Sequence, residues 1–170
     1  MITLIFASTE NGVIGNNGKL PWPPLKGELK LFKETTINNT VIMGRKTFQS
    51  LPVGPLPDRI NVVLTRKITF LDRWNSFKFN MTHFNTKLVY VSEKSVNKFL
   101  DNFLYMRDAF IIGGAEIFKR FESRCDAMIW TIVNGDYDGD TSFKPSQIMW
   151  QKISERHFSE YKILKFRKKF

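Results

Sequence analysis

Apolar residues along this chain follow two rhythms. Nearly unbroken runs occur at ITLIFAS (2–8), TVIMG (40–44), INVVLT (60–65), KLVYVS (87–92), DAFIIGG (108–114) and AMIWTIV (127–133). Continuous rather than alternating, they read as strands of a sheet covered on both faces. Helical spacing intervenes: Leu25, Leu29, Phe32 and Thr36 mark a helix over about 25–36, and Phe48 and Leu51 share one side of RKTFQSL (45–51). EKSVNKFLDNF (93–103) is amphipathic, with Ser92 or Ser95 as caps, and AEIFKRFESR (115–124) follows a glycine turn. Residues 66–87 show no clean period and are read as irregular, an extended segment at about 68–87 with at most one short strand. The C-terminal stretch alternates partially, as one or two strands. No repeat or linker interrupts the order, so residues 1–170 are expected to form a single α/β domain. Its sheet is largely parallel and right-handed, finished by an antiparallel C-terminal hairpin.

One position disturbs the pattern. Lys26, Lys30, Lys33 and Glu34 occupy the polar side of the first helix, but Glu28 falls within its apolar arc. Two readings are open on spacing alone. The carboxylate sits at the edge of the stripe with its head in water, or it lies at the floor of an apolar cleft. There, desolvation would raise its pKa, and a donor-rich heterocycle would offset the cost.

Charge widens the picture. Lys and Arg exceed Asp and Glu by 26 to 16, a formal net charge of +10. This favours nucleic acid, acidic surfaces or a phosphate-bearing cofactor. Part of the excess is local, in KILKFRKKF at the C-terminus, and the joint richness in Lys, Asn, Ile and Phe is equally explained by an AT-rich coding sequence. The single cysteine, Cys125, excludes an internal disulfide and fits a reducing compartment; it reads as a small filler rather than a nucleophile. No apolar run is long enough to span a membrane, and the N-terminus reads as a first strand and not a signal peptide, so a cytoplasmic location is expected. His83 and His157 are isolated, and DYDGD (136–140) lacks a calcium-loop pattern, so no metal is expected. VIMG before RKTF and FIIGG before AEIF repeat one arrangement: strand, glycine, helix N-terminus. Arg45, Lys46 and Thr47 flank the first, and Arg66 emerges at the same sheet edge. Each turn alone is ordinary geometry; together they point to a diphosphorylated nucleotide.

Five ordered motifs, VIG…LPW…ELKLFKETT, VIMGRKTFQSLP, PLPDRINVVLTR, FIIGGAEIF and TIV…GDTSF, resemble those of dihydrofolate reductase over nearly the whole chain. The resemblance implies an eight-stranded, mostly parallel sheet with flanking helices and NADPH-dependent reduction of 7,8-dihydrofolate. By it, Glu28 is the single catalytic carboxylate, with Thr131 as its hydroxyl partner, Trp22 holding a water beside it and Leu20 on a lid between Gly12 and Pro24. Asp140 steadies that lid. The substrate walls are Ile5, Phe6, Ala7, Leu29, Phe32, Ser50, Leu51, Leu56 and Ile112, and Arg59 pairs with the glutamate tail's α-carboxylate. The cofactor falls to Ala7, Ile14, Gly15, Gly44, Arg45, Lys46, Thr47, Leu64, Thr65, Arg66, Ile112, Gly113, Gly114, Ala115, Glu116, Ile117 and Phe118. Lys46 and Arg66 supply counter-charge for a 2′-phosphate.

The chain also departs from the family pattern. Phe118 replaces a common tyrosine, Phe6 is bulkier than usual, PWPPLKGEL has one extra residue before the acid, and both 68–87 and the basic tail are unaccounted for. A pyrimidine-type reductase is the nearer alternative, disfavoured by Glu28 and Arg59. A non-catalytic polyanion binder would need a contiguous basic face, whereas the cations are scattered except at the terminus, which leaves a polyanion-binding tail as the alternative. A monomer is expected, acting on dihydrofolate and folate analogues.

Overall fold

The unbroken apolar runs become the interior of one sheet. The structure, a computed structural model, describes residues 1–83, 85–92, 94–103 and 108–169. Strands β1 (Ile2–Thr9), β3 (Thr40–Gly44), β4 (Ile60–Thr65), β5 (Lys87–Ser92), β6 (Ala109–Gly113) and β7 (Ala127–Val133) are joined in the order β5-β4-β3-β6-β1-β7. All six are parallel. The C-terminal β10 (Tyr161–Lys168) adds antiparallel to β7, and β9 (Trp150–His157) closes that side as the outermost strand. A two-stranded ribbon, β2 (Val13–Gly15) with β8 (Thr141–Ser142), stands apart from this eight-stranded sheet. The expected fold class is therefore the observed one.

Alternation along β1 sends neighbouring side chains to opposite cores. Ile2, Leu4 and Phe6 enter a cluster with Ile42, Ile111, Phe118 and Phe121, whereas Ile5 faces Val41, Met43 and Phe110. Helices α1 (Glu28–Thr36), α2 (Arg45–Ser50), α4 (Val96–Phe103) and α5 (Ala115–Phe121) arise where spacing predicts them. The first helix starts at Glu28 and not at Leu25, because Gly27 before it has φ +86, a conformation that glycine adopts without penalty. Cys125 is buried, donates to the Phe121 carbonyl at 3.2 Å, and has its thiol pKa pushed up to about 12 by burial.

One expectation is corrected. Residues 68–87 are not an irregular segment: Phe70–Thr82 form a helix, α3. Its start is a capping box in which the Thr69 hydroxyl accepts from the Asp72 amide and the Asp72 carboxylate accepts from the Thr69 amide. The expected C-terminal hairpin is present: Lys165, Arg167 and Lys168 of the basic tail lie within β10, which is hydrogen-bonded to β7 and β9.

The α3 helix lies along the outer edge of β5. The Asn80 side chain donates to the Leu88 carbonyl at 3.0 Å and accepts from the Leu88 amide at 2.8 Å, and Ser76 donates to the same carbonyl.

Candidate active site

Glu28 opens α1, partly shielded from water, and burial raises its carboxyl above the usual 4.5. Among the described residues it makes no ion pair and no side-chain hydrogen bond. Thr131 is buried on β7, yet no direct hydrogen bond joins its hydroxyl to Glu28, so the expected pairing is not a direct protein contact. Trp22 is buried with Leu25, Val133, Tyr161 and Ile163, and meets Tyr137 edge to face at 6.0 Å. Tyr161 escaped the sequence reading, having no motif around it. Its hydroxyl donates to the Lys26 carbonyl just before α1, and its pKa is raised by burial and then by the nearby Glu28.

The apolar walls gather as expected in part. Phe32, Leu51, Leu56 and Ile112 pack on the cluster containing Ile5, on the α1 side of the sheet. Ala7 joins the neighbouring cluster around Trp22. Leu29 and Leu20 are more than half exposed and join neither. Ser50 ends α2 with its hydroxyl on the Thr47 carbonyl, away from the cluster. The Phe6 side chain points to the opposite face, where its ring contacts Phe118 at 5.2 Å, Phe143 at 5.2 Å and Trp130 at 5.7 Å. The two departures from the family pattern thus touch each other, and the bulk of Phe6 is accommodated by packing against Phe118.

Arg59 occupies the far end of α1. It is 4% exposed, donates to the Thr36 hydroxyl at 2.8 Å and to the Pro57 carbonyl at 2.9 Å. Burial lowers its pKa, and no carboxylate lies in ion-pair contact with it among the described residues. Glu28 and Thr36 are the two ends of α1, so the acid and the guanidinium are separated by about 12 Å along the helix axis.

The two strand–glycine–helix turns interlock. A Cβ on Gly44 would stand 3.2 Å from Ile117, and one on Gly114 would stand 3.2 Å from the Thr47 hydroxyl. Gly113, φ +137 and joined to Gly114 by a cis peptide, lies against Thr47 and the Phe118 ring. Around this cradle Lys46 and Arg66 are exposed and form no ion pair among the described residues. Thr65 is buried at the end of β4, and Leu64 faces the core, leaving only its backbone to a ligand. Arg45, expected at the phosphates, is already engaged. It grips the Asp72 carboxylate of α3 with two bonds of 2.8 Å, donates to the Thr65 hydroxyl and the Lys67 carbonyl, and holds the Asp72 carboxyl far below the usual carboxylate range. Glycine at the close approaches and unpaired cations at the rim suit a phosphorylated dinucleotide.

Over the other end lies the segment from Gly12 to Pro24. Its β2 pairs with β8, carrying Ile14 and Gly15, and Asp140 accepts from the Asn17 amide at 2.9 Å. This contact lowers the Asp140 carboxyl, so the expected tie between the two loops is present. Gly139 is obligatory there, because a Cβ would collide with Val13 and the Gly15 carbonyl.

Comparison with known proteins settles the family. The sequence model of dihydrofolate reductase matches residues 1–170. The chain belongs to the dihydrofolate reductase family. It is 40% identical to dihydrofolate reductase type 8 of Escherichia coli over 139 residues, 81% of this chain and 76% of that one. Dihydrofolate reductase of Mycoplasma pneumoniae is 33% identical over 172 residues, 99% of this chain and 98% of that one. The structure is similar to that of dihydrofolate reductase from Enterococcus faecalis complexed with NADP(H) and RAB-propyl, with a TM-score of 0.79, 28% identity and coverage of 99% and 96%. This reductase is an NADPH-dependent oxidoreductase that reduces dihydrofolate. No helix among the described residues is long and apolar enough to cross a membrane.

Proposed function

We propose that the substrate lies along α1, its pterin ring on Glu28 and its acidic tail on Arg59. The observation that carries this reading is the pair of partly or fully buried, unpaired, opposite charges at the two ends of one helix. Each is costly alone, and a ligand with a donor-rich ring at one end and a carboxylate at the other offsets both costs. Ile5, Phe32, Leu51, Leu56 and Ile112 form the apolar wall between them, and Leu29, exposed in the free chain, covers the ring.

When bound, NADPH supplies the hydride that reduces pterin C6. The residues that hold it are Gly113 and Gly114 at close backbone approach, Thr47, Thr65, and the unpaired cations Lys46 and Arg66 at the phosphates. Glu28 accepts hydrogen bonds from the pterin's 2-amino group and N3, fixing the ring and favouring positive charge on it. Trp22 orders a water beside Glu28, which carries the proton to N5. Thr131 contributes through such a water or on the bound ring. The Gly12–Pro24 lid, tied down by Asp140, brings Leu20 over the ring and excludes bulk water. On this reading the protein works as a monomer in the cytoplasm.

The test is loss of NADPH absorbance on adding dihydrofolate, with a folate analogue as competitor. Substrate-dependent loss blocked by the analogue supports the reading. Turnover only with a ribosylated aminopyrimidine, unaffected by the analogue, overturns it in favour of a pyrimidine-type reductase.

A further inference from the structure

The α3 helix is built the wrong way round for a surface helix. Its sheet-facing side is polar: Asp72 clamps Arg45, while Ser76 and Asn80 bond the backbone of Leu88. Its solvent side carries Phe70, Leu71, Trp74, Phe77 and Met81, each between 53% and 82% exposed. At 100° per residue, Phe70, Trp74, Phe77 and Met81 fall within an arc of about 60°, a single ridge. Arg73 and Lys78, both exposed, border it on opposite sides.

We propose that α3 is an interfacial anchor that lays this ridge on a membrane surface containing anionic lipid. Charge selects that occupant. The helix has one acid, Asp72, which is buried and neutralised by Arg45, so the ridge and its borders present only cations. A second copy is a poor fit: antiparallel packing of two α3 ridges sets the Arg73 flanks of the two copies side by side and likewise the Lys78 flanks, with no acid of α3 between them. The chain as a whole, at +10, also repels its own kind and is attracted to a negative surface. A convex crest of Trp, Phe and Met bordered by cations is the composition of helices that lie in the headgroup boundary, aromatic rings inserted and ammonium and guanidinium groups at phosphate level. The attachment is peripheral, because α3 has 13 residues and lies flat along β5.

The experiment is sedimentation of the full chain with phosphatidylcholine vesicles, with or without phosphatidylglycerol, and in parallel without lipid over a range of protein concentrations. Binding should require phosphatidylglycerol and weaken with salt. The double substitution Trp74→Ser, Phe77→Ser should lower the partition coefficient at least about tenfold, since two aromatic side chains no longer leave water. Its dihydrofolate turnover in lipid-free solution should be unchanged, which also shows that it folds. Trp74 fluorescence should shift to the blue on binding, a change absent from Trp74→Phe. Three results overturn the proposal: no vesicle binding, binding equal in the parent and the double variant, or a concentration-dependent dimer abolished by the double substitution.

Discussion

Two helices of this reductase open with an acid on the side that faces the protein, and the two acids have opposite fates. Glu28 on α1 has no hydrogen-bond or ion-pair partner among the described residues, and burial raises its pKa. Asp72 on α3 is at least as secluded but sits in the fork of Arg45 and caps its own helix, and its pKa falls. Burial is therefore not what separates the two carboxylates. The separation lies in whether the fold supplies the counter-charge. Where it does, the acid joins two elements; where it does not, the cost of burial stands, and a ligand would offset it on the proposed reading.

The sharpest way to break this comparison is to remove each charge while keeping shape. Glu28→Gln should reduce turnover at neutral pH by about a hundredfold or more, with stability equal or higher, because the lost group had no protein partner. Stopped-flow turnover together with urea unfolding would show it; near-normal turnover would return Glu28 to an ordinary surface acid. Arg59→Leu probes the other unpaired charge. It should raise KM for dihydrofolate by roughly tenfold to a hundredfold while leaving NADPH affinity unchanged. An equal loss of affinity for both ligands would mean that Arg59 merely props the fold.

Asp72→Asn should behave in the opposite manner to Glu28→Gln. Its loss of the bidentate bond and the cap should cost about 2 kcal/mol in urea unfolding, with kcat almost unaffected. The freed Arg45 then becomes available to the cofactor, so NADPH binding should hold or tighten; weaker binding would show that Asp72 positions Arg45 for the phosphate.

Stability against pH sharpens the contrast most finely. The folded Glu28 carboxyl titrates above its ordinary 4.5, so the native state binds its proton more readily and Glu28 costs stability once pH exceeds the folded value. Asp72 titrates below its ordinary 3.8, so its contribution is complete above that value and is lost as pH falls through the folded one. Urea midpoints should thus rise slightly on acidification towards 4.5 and drop below about 3.8. Glu28→Gln should abolish the first trend, and Asp72→Asn should weaken the second, to which Asp140 also contributes.

Much of this was legible in the sequence, for a physical reason. Strands buried on both faces must be apolar throughout, so 2–8, 40–44 and 60–65 announce themselves as a parallel sheet, whereas the order of strands across it depends on long-range pairing that no local pattern encodes. Glu28 was legible because it violates a pattern that was otherwise clear. The α3 helix was not, although Thr69 and Asp72 carry the spacing of a capping box. Its apolar ridge faces solvent while Asp72, Ser76 and Asn80 face the sheet, so no stripe marked a core side, and Leu71 and Phe79 blurred the period. The engagement of Arg45 was illegible for a related reason: position at a sheet edge predicts what a cation could reach, not which distant acid reaches it first. Tyr161 lay beyond the reading because its role depends on β10 pairing with β7.

The Asn80 amide has a consequence beyond fixing α3. A strand at the margin of a sheet offers unpaired N–H and C=O groups, a template on which another chain can polymerise. At one margin β9 answers this with Lys152, Glu155 and Arg156. At the other, β5 has its Leu88 rung filled by a side chain that imitates one residue of a ninth strand, donor and acceptor in register. The helix thus serves as a selvage that keeps the weave from being extended by a stranger, and chain length at 68–87 can vary only as long as something still finishes that hem.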